Sequence, residues 1–478
     1  MIWSWRNGVA PVNRIPPEIL ALVPDFWDKR YDYRDRDVIA LTHVCQAWRD
    51  VFISRSSLWT DLDCQDEDKT RVYLECSKSL PVNLWLHTEH RLPPYHPFSE
   101  TVPRAIGRLR SLSIEVVRPK HLQSITDLLS HPAPLLEKLS ICGGHHNSPH
   151  RDPVLTPALL NGDLSSLRSL CLQPVRTELP WRNMVHLTSF KLYSTSPGQV
   201  TIGQVLDFFE GAPRLRKILF YSATPTSGAQ NGRLVSLACL EWMEITDGGS
   251  ASLFLDHLLI PAGADLTIEV DLPSPPIKDH SPRFLDSLRD FPDFTAIELC
   301  DGGGGPHIQF SGPNRRVRII PSTSRVDKTC LMLESLGQFD TSKVERLEID
   351  SGNSPSSDPF YRALFPMEHI RTLTLRQCAS PYVFVHALHP NKSSSGAVVC
   401  PRLEELVIML EWGSDDIVDM RSIIEVVAAR ASGGAKLKSI RIVGDIDKPV
   451  RTDVFELKKH VTHVEFDPEL DNDIDEEG

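Results

Sequence analysis

A chain of 478 residues has room for two to four domains or one array of repeats, and its formal net charge of −12 argues against bulk attraction to nucleic acid or an anionic membrane. The opening residues 1–6 lack an apolar signal core, and no run approaches about eighteen apolar residues, so neither a signal peptide nor a transmembrane span is expected. The ten cysteines are scattered without a Cys-x-x-Cys pair, which predicts reduced, mostly buried thiols in the cytosol or nucleus.

The first element is a short helix begun by Asn13-Arg14-Ile15-Pro16-Pro17-Glu18-Ile19-Leu20. A proline suits the first helical turn, where a missing N–H is not missed, and Glu18 suits the positive end of the helix dipole. Pro24 stops this helix after about two turns. A polar, charged linker runs from Asp25 to Asp37. Next comes a helix over 38–52, capped by Asp35 or Asp37. Its apolar face is Val38, Leu41, Val44, Cys45, Trp48, Val51 and Phe52, with Thr42, Gln46, Arg49 and Asp50 opposite. Two short amphipathic helices cannot make a core alone, so this unit must pack on something.

Residues 63–104 read as a connector and a first repeat-like unit. Ser57 to Leu62 suggests an edge strand, Lys69 to Ser79 a helix, and Val82 to His87 alternates like a strand. His90 to Pro103, rich in proline and histidine, reads as loop.

From 105 to 467 one pattern returns, apolar-x-x-apolar-x-apolar. Leu109-Leu112-Ile114, Leu167-Leu170-Leu172, Leu240-Met243-Ile245 and Ile370-Leu373-Leu375 are examples, most about 20 to 34 residues from the next. Weaker units fall at Leu266-Ile268-Val270 and around Val317-Ile319. This resembles diverged leucine-rich repeats: each unit offers one short strand that only stacked neighbours can bury. Return helices are expected at 205–209, 284–288, 331–336 and 417–431. Only one unit carries the full ending with cysteine, Cys378. Residues 468–478 form an acidic tail with little to bury.

Chemical motifs are few. Cys142, His145, His146 and His150 match no zinc spacing, and Asp301 with Gly302–Gly305 lacks the Gly-Lys-Ser/Thr of a phosphate loop. No nucleophile elbow and no His-Glu-x-x-His is present. No metal, no cofactor and no enzymatic activity is expected. On the repeat strands, the residues flanking the inward positions point away from the core. Lys191, Tyr193, Lys217, Tyr221, Trp242 and Glu244 would gather there into one patch rich in aromatics and cations, suited to holding a partner protein.

The N-terminal pieces resemble a known family. Ile15-Pro-Pro-Glu-Ile-Leu20, then Leu41-x-x-Val44-Cys45-x-x-Trp48-Arg49, then Ser57-Leu58-Trp59 look like the F-box, closest to the F-box-like proteins common in fungi. The resemblance covers residues 13–62. The charged stretch 25–37 departs from the family's shorter, more apolar second helix. The resemblance implies an α/β solenoid: a helical F-box followed by an irregular leucine-rich-repeat array. It implies docking on a Skp-family adaptor, which joins a cullin and a RING subunit in a ubiquitin ligase, while the repeats hold an unknown target protein. Ile15, Pro16, Pro17, Glu18, Ile19, Leu20, Val44, Cys45 and Trp48 would form the adaptor contact, with Trp48 also holding the helices together. The alternatives are a non-degradative scaffold of the same build and, less supported, an enzyme or nucleotide-binding protein on an α/β frame.

Overall fold

The computed structural model describes residues 11–26, 34–64, 66–88, 103–116, 129, 131–143, 154–155, 159–173, 175–177, 184–193, 200–222, 225, 232–246, 255–270, 294–301, 305–321, 328–337, 339–352, 357–378, 381–390, 398–410, 420–443 and 451–467. The chain is an α/β protein divided into two compact units, Met1–Leu215 and Arg216–Gly478. The expected helix at 284–288, the loop at 90–102, the histidines at 145–150 and the acidic tail lie outside the described residues.

The first unit begins with short helices: α1 (Pro17–Leu22), α2 (Arg34–Thr42) and α3 (Gln46–Ser54). The single helix expected over 38–52 is two. The chain turns at His43–Val44, and Cys45 is extended (φ −162°, ψ 172°) as the N-cap of α3. The break is held from both sides. The Thr42 hydroxyl, buried rather than solvent-facing, donates to the Ile39 carbonyl at 2.7 Å, and Arg49 Nε donates to the Thr42 carbonyl at 3.0 Å. Helix α2 already starts at Arg34, so Asp35 and Asp37 lie inside it rather than capping it. The segment 57–62 is likewise not one strand. A 3-10 turn (Ser56–Trp59) precedes strand β1 (Asp61–Asp63).

Helix α4 (Glu67–Cys76) is capped by Asp66, whose carboxylate accepts the Lys69 N–H at 3.0 Å. The remaining strands of this unit are β2 (Val82–Thr88), β3 (Leu109–Val116), β4 (Lys138–Cys142), β5 (Ser169–Gln173) and β6 (Ser189–Tyr193). They pair in chain order and all in parallel. Helix α5 (Ile202–Gly211) returns from β6. Thr201 and Gln204 cap each other reciprocally at its start, and Phe208 packs its ring 4.6 Å from that of Phe190.

The second unit carries strands β7 (Lys217–Tyr221), β8 (Trp242–Thr246), β9 (Asp265–Val270), β10 (Ala296–Cys300), β11 (His307–Ser311), β12 (Arg316–Pro321), β13 (Arg346–Asp350), β14 (Thr372–Arg376), β15 (Glu405–Met409), β16 (Ser439–Val443) and β17 (His463–Asp467). Its helices are α6 (Lys328–Leu336), α7 (Ser357–Leu364), α8 (Pro381–Ala387), α9 (Met420–Ser432) and α10 (Arg451–His460). The strands run parallel and in order except at one place. After β9 the chain skips two positions, lays down β10, and folds back through antiparallel β11 to β12, which pairs with β9. Strand β13 then joins β10.

One turn geometry repeats wherever the apolar pattern repeats. The first apolar residue of the unit closes a turn onto the residue three before it. This is seen for Leu167 on Leu164, Leu187 on Met184, Leu240 on Leu237, Val344 on Thr341 and Leu403 on Cys400. The next residue donates its N–H to the equivalent carbonyl of the neighbouring strand's lead-in, as Glu137 to Arg110, Arg168 to Glu137, Arg371 to Glu345, Glu404 to Arg371 and Lys438 to Glu404. Side chains at this step alternate in charge, and Arg110–Glu137 (3.1 Å) and Glu404–Lys438 (2.7 Å) form ion pairs. Exposed pairs of this kind contribute little energy each, but opposite charges favour the correct neighbour. The two later apolar positions of each strand point inward. Leu139 and Ile141, Leu347 and Ile349, and Ile440 and Ile442 are all essentially without solvent contact.

Arg430 of α9 is buried completely among these apolar groups. Its guanidinium donates to the carbonyls of Val399 (2.7 Å), Cys400 (2.8 Å) and Leu388 (3.3 Å). Those bonds fix the lead-in to β15, where Cys400 takes a left-handed φ of 49°. Burial pushes the Arg430 pKa down from its ordinary value. Among the described residues, no helix is long and apolar enough to cross a membrane.

Candidate docking surfaces

Helix α1 presents two different faces. The Pro16 carbonyl accepts the N–H groups of both Ile19 and Leu20 at 3.0 Å, which sets the first turn. Leu20 then points inward with 4 % of its surface exposed, and Pro24 follows it into the core. Ile19 is 56 % exposed. Leu22 and Phe26 share its side, Phe26 at 83 %. The spacing 15, 19, 22, 26 puts these apolar residues on one helical stripe. Val44, at the break between α2 and α3, is 50 % exposed.

Of the residues expected to meet an adaptor, Pro16, Pro17, Glu18, Ile19 and Val44 are exposed, and Ile15, Cys45 and Trp48 are half-buried. Leu20 is corrected to a core residue. Leu22, Phe26 and Ile53 were missed, although the i, i+3, i+7 spacing from Ile19 marked Leu22 and Phe26.

These helices are pinned to the rest of their unit through aromatics. Trp48 meets Phe52 edge-on at 5.8 Å. Phe52 is fully buried, and its carbonyl accepts the indole N–H of Trp59 at 2.9 Å. The Trp59 ring meets Tyr73 of α4 edge-on at 4.8 Å. Arg55 adds an ion pair to Asp25, reaching both carboxylate oxygens at 2.7 and 2.8 Å.

The second surface is the outward face of the strands. In the first unit Lys191 is exposed and Tyr193 half-buried on β6, and Lys191 lies in register with Cys171. In the second unit Lys217 is in register with Trp242, and Leu219, which is buried, with Glu244. Tyr221, 49 % exposed, faces Thr246. The expected residues do point outward. The single aromatic and cationic patch is not what the second unit presents, because Asp265 follows Trp242 in register and Glu269 stands at the end of the same strand. The face is mixed in charge and turns acidic further on.

That acidic region was not foreseen. Strand β11 was missed altogether, although Ile308 and Phe310 alternate with polar residues between glycine-rich turns. Around it, Gln309 Nε2 donates to Glu298 Oε2 at 2.8 Å. The Arg318 guanidinium lies 3.0 and 3.2 Å from the two ring nitrogens of His307. Burial pushes the His307 pKa down. The Gly305 carbonyl and the carboxylates of Glu298 and Asp350 act against this, and Arg318 adds to it. Cys378 is buried and its thiol reaches the Ile349 carbonyl at 3.5 Å, a structural ending to its unit. Among the described residues no group of His, Cys, Asp and Glu is placed to hold a metal ion.

A scan against protein-family models finds no match to this chain, and a search of curated proteins finds none either.

Proposed function

We propose that this chain is a substrate-recognition subunit of a Skp–cullin–F-box ubiquitin ligase. Residues 13–62 act as an F-box-like docking module for a Skp-family adaptor, and the strands act as an irregular leucine-rich-repeat solenoid that holds the target protein. The supporting observation is the apolar stripe of Ile19, Leu22 and Phe26, with Val44 also exposed, on short helices whose other face is anchored by Leu20, Phe52 and Trp59. Exposed apolar patches of this kind mark interaction sites, and burial of such side chains drives association. The chain itself then does no bond chemistry. It raises the local concentration of a target lysine at the ligase by placement.

The test is capture by purified Skp-family adaptor, wild type against a Pro16→Ala/Ile19→Asp variant. Retention of wild type and loss of the variant supports the reading. Folded wild-type protein that the adaptor does not capture removes the ligase role. Copurification with a cullin separates a degradative receptor from a scaffold of the same build.

A further inference from the structure

The outward face of the second unit changes character where the strand order reverses. Because β10 pairs with β13, Glu298 comes directly opposite Glu348, and Asp350 stands two residues further along the same strand. Like charges opposite each other on neighbouring strands weaken a sheet, and nothing in the apolar core requires them. The neighbours offset part of this charge. Arg376 reaches Glu348 at 3.0 Å, and the Gln309 amide serves Glu298. The Glu348 carboxyl is still pushed above its ordinary value, first by burial and then by Glu298 and Asp350, against the pull of Arg376.

On the other side of β14 the outward positions are apolar. Val407 and Met409 of β15 are in register with Thr374 and Arg376, and Val443 stands opposite Met409. Outward strand positions are ordinarily polar, so an apolar ledge here is a second, separate departure. With strands ~4.8 Å apart, the ledge and the carboxylates of β13 are separated by about 10 Å, the reach of one long side chain and its neighbour.

We propose that this face binds a basic, amphipathic segment of the target protein, with a lysine or arginine head at Glu298, Glu348 and Asp350 and an adjacent apolar side chain on Val407 and Met409. The charge is complementary, and the aliphatic stem of a basic side chain suits the half-buried ground between the two. The proposal rests on the outward sheet face being the target-holding face. It does not depend on the adaptor.

The experiment is fluorescence anisotropy on the full chain with a labelled peptide of alternating Lys-Leu and Gly-Ser pairs, and with the same peptide carrying Glu for Lys. Wild type is expected to bind the lysine peptide and not the glutamate peptide. E298Q/E348Q is expected to weaken binding by about tenfold or more. The control E368Q/E425Q removes the same charge from an exposed turn and an exposed helix position, and is expected to change little. E298Q/E348Q is also expected to melt no lower than wild type, because it removes a like-charge pair. Absence of lysine-peptide binding, equal binding of both peptides, equal loss in both double variants, or a lower melting temperature for E298Q/E348Q would each overturn the proposal. Adaptor capture is read in a separate assay, so failure here and failure of the ligase reading are distinguishable.

Discussion

Ile19 and Leu20 are adjacent in sequence and opposite in role, which makes them a direct test of the docking surface. Leu20 is 4 % exposed, and truncating a buried leucine costs about 2–5 kcal/mol. Aspartate in its place adds the cost of a buried, unpaired carboxylate, so a loss of at least ~3 kcal/mol is expected. In a unit of this size each kcal/mol moves the melting temperature by ~2–4 °C. Leu20→Asp should therefore lower the melting of the first unit by about 6 °C or more. Ile19 is 56 % exposed, and an exposed substitution stays within about 0.5 kcal/mol, or under ~2 °C. Full burial of an isoleucine is worth ~1.5–3 kcal/mol, so the exposed part leaves about 1–2 kcal/mol to be gained on docking. Its loss alone weakens adaptor binding by about 5- to 30-fold, and desolvating the new carboxylate adds to that. Differential scanning calorimetry beside adaptor capture reads both quantities. If Ile19→Asp melts as low as Leu20→Asp, or keeps wild-type adaptor affinity, the assignment of the exposed stripe as a docking face is wrong.

Three further outcomes follow from buried polar groups. Arg430→Met keeps most of the apolar stem and removes the guanidinium from the carbonyls of Leu388, Val399 and Cys400; a loss of about 2–5 kcal/mol is expected, read by urea denaturation, and a shift below ~1 kcal/mol would show that those bonds are dispensable. The thiols of Cys64, Cys378 and Cys400 are pushed up to about 12 by burial, so native protein at pH 8 should leave them unlabelled by iodoacetamide while exposed Cys239 reacts, as peptide mass spectrometry will show. The His307 pKa is depressed in the folded state, so its contribution is fully present above the unfolded value of 6.5 and is lost as pH falls towards the folded pKa. The second unit's melting temperature should accordingly drop between pH 7 and pH 5.5, and His307→Gln should flatten that drop; an unchanged slope would refute the assignment.

Much of the architecture was legible as pattern. The strands at 109–116, 138–142, 346–350 and 439–443 sit where the apolar spacing put them, because two inward residues separated by one outward residue is the period of a strand. The return helices at 202–211, 328–336 and 420–432 likewise follow from apolar periodicity, the first also from its cap. The docking stripe was half legible. Pro16 and Pro17 announced a helix start, but a helix of six residues carries too few turns for its sequence to say which apolar side faces inward.

Local sequence therefore settled what repeats, because strand alternation, helical spacing and capping depend on residues close together in the chain. What depends on distant neighbours only the folded chain decided. The break at Cys45 follows from the Thr42 and Arg49 bonds across it. The fate of Leu20 follows from the helices packed around it. The pairing of β10 with β13 brings Glu298 to Glu348 across about fifty residues of chain, and no local rule brings two such carboxylates together. Arg430 reads in sequence as an ordinary surface arginine on a helix, and it is buried because three backbone carbonyls from a segment thirty to forty-two residues earlier converge on it.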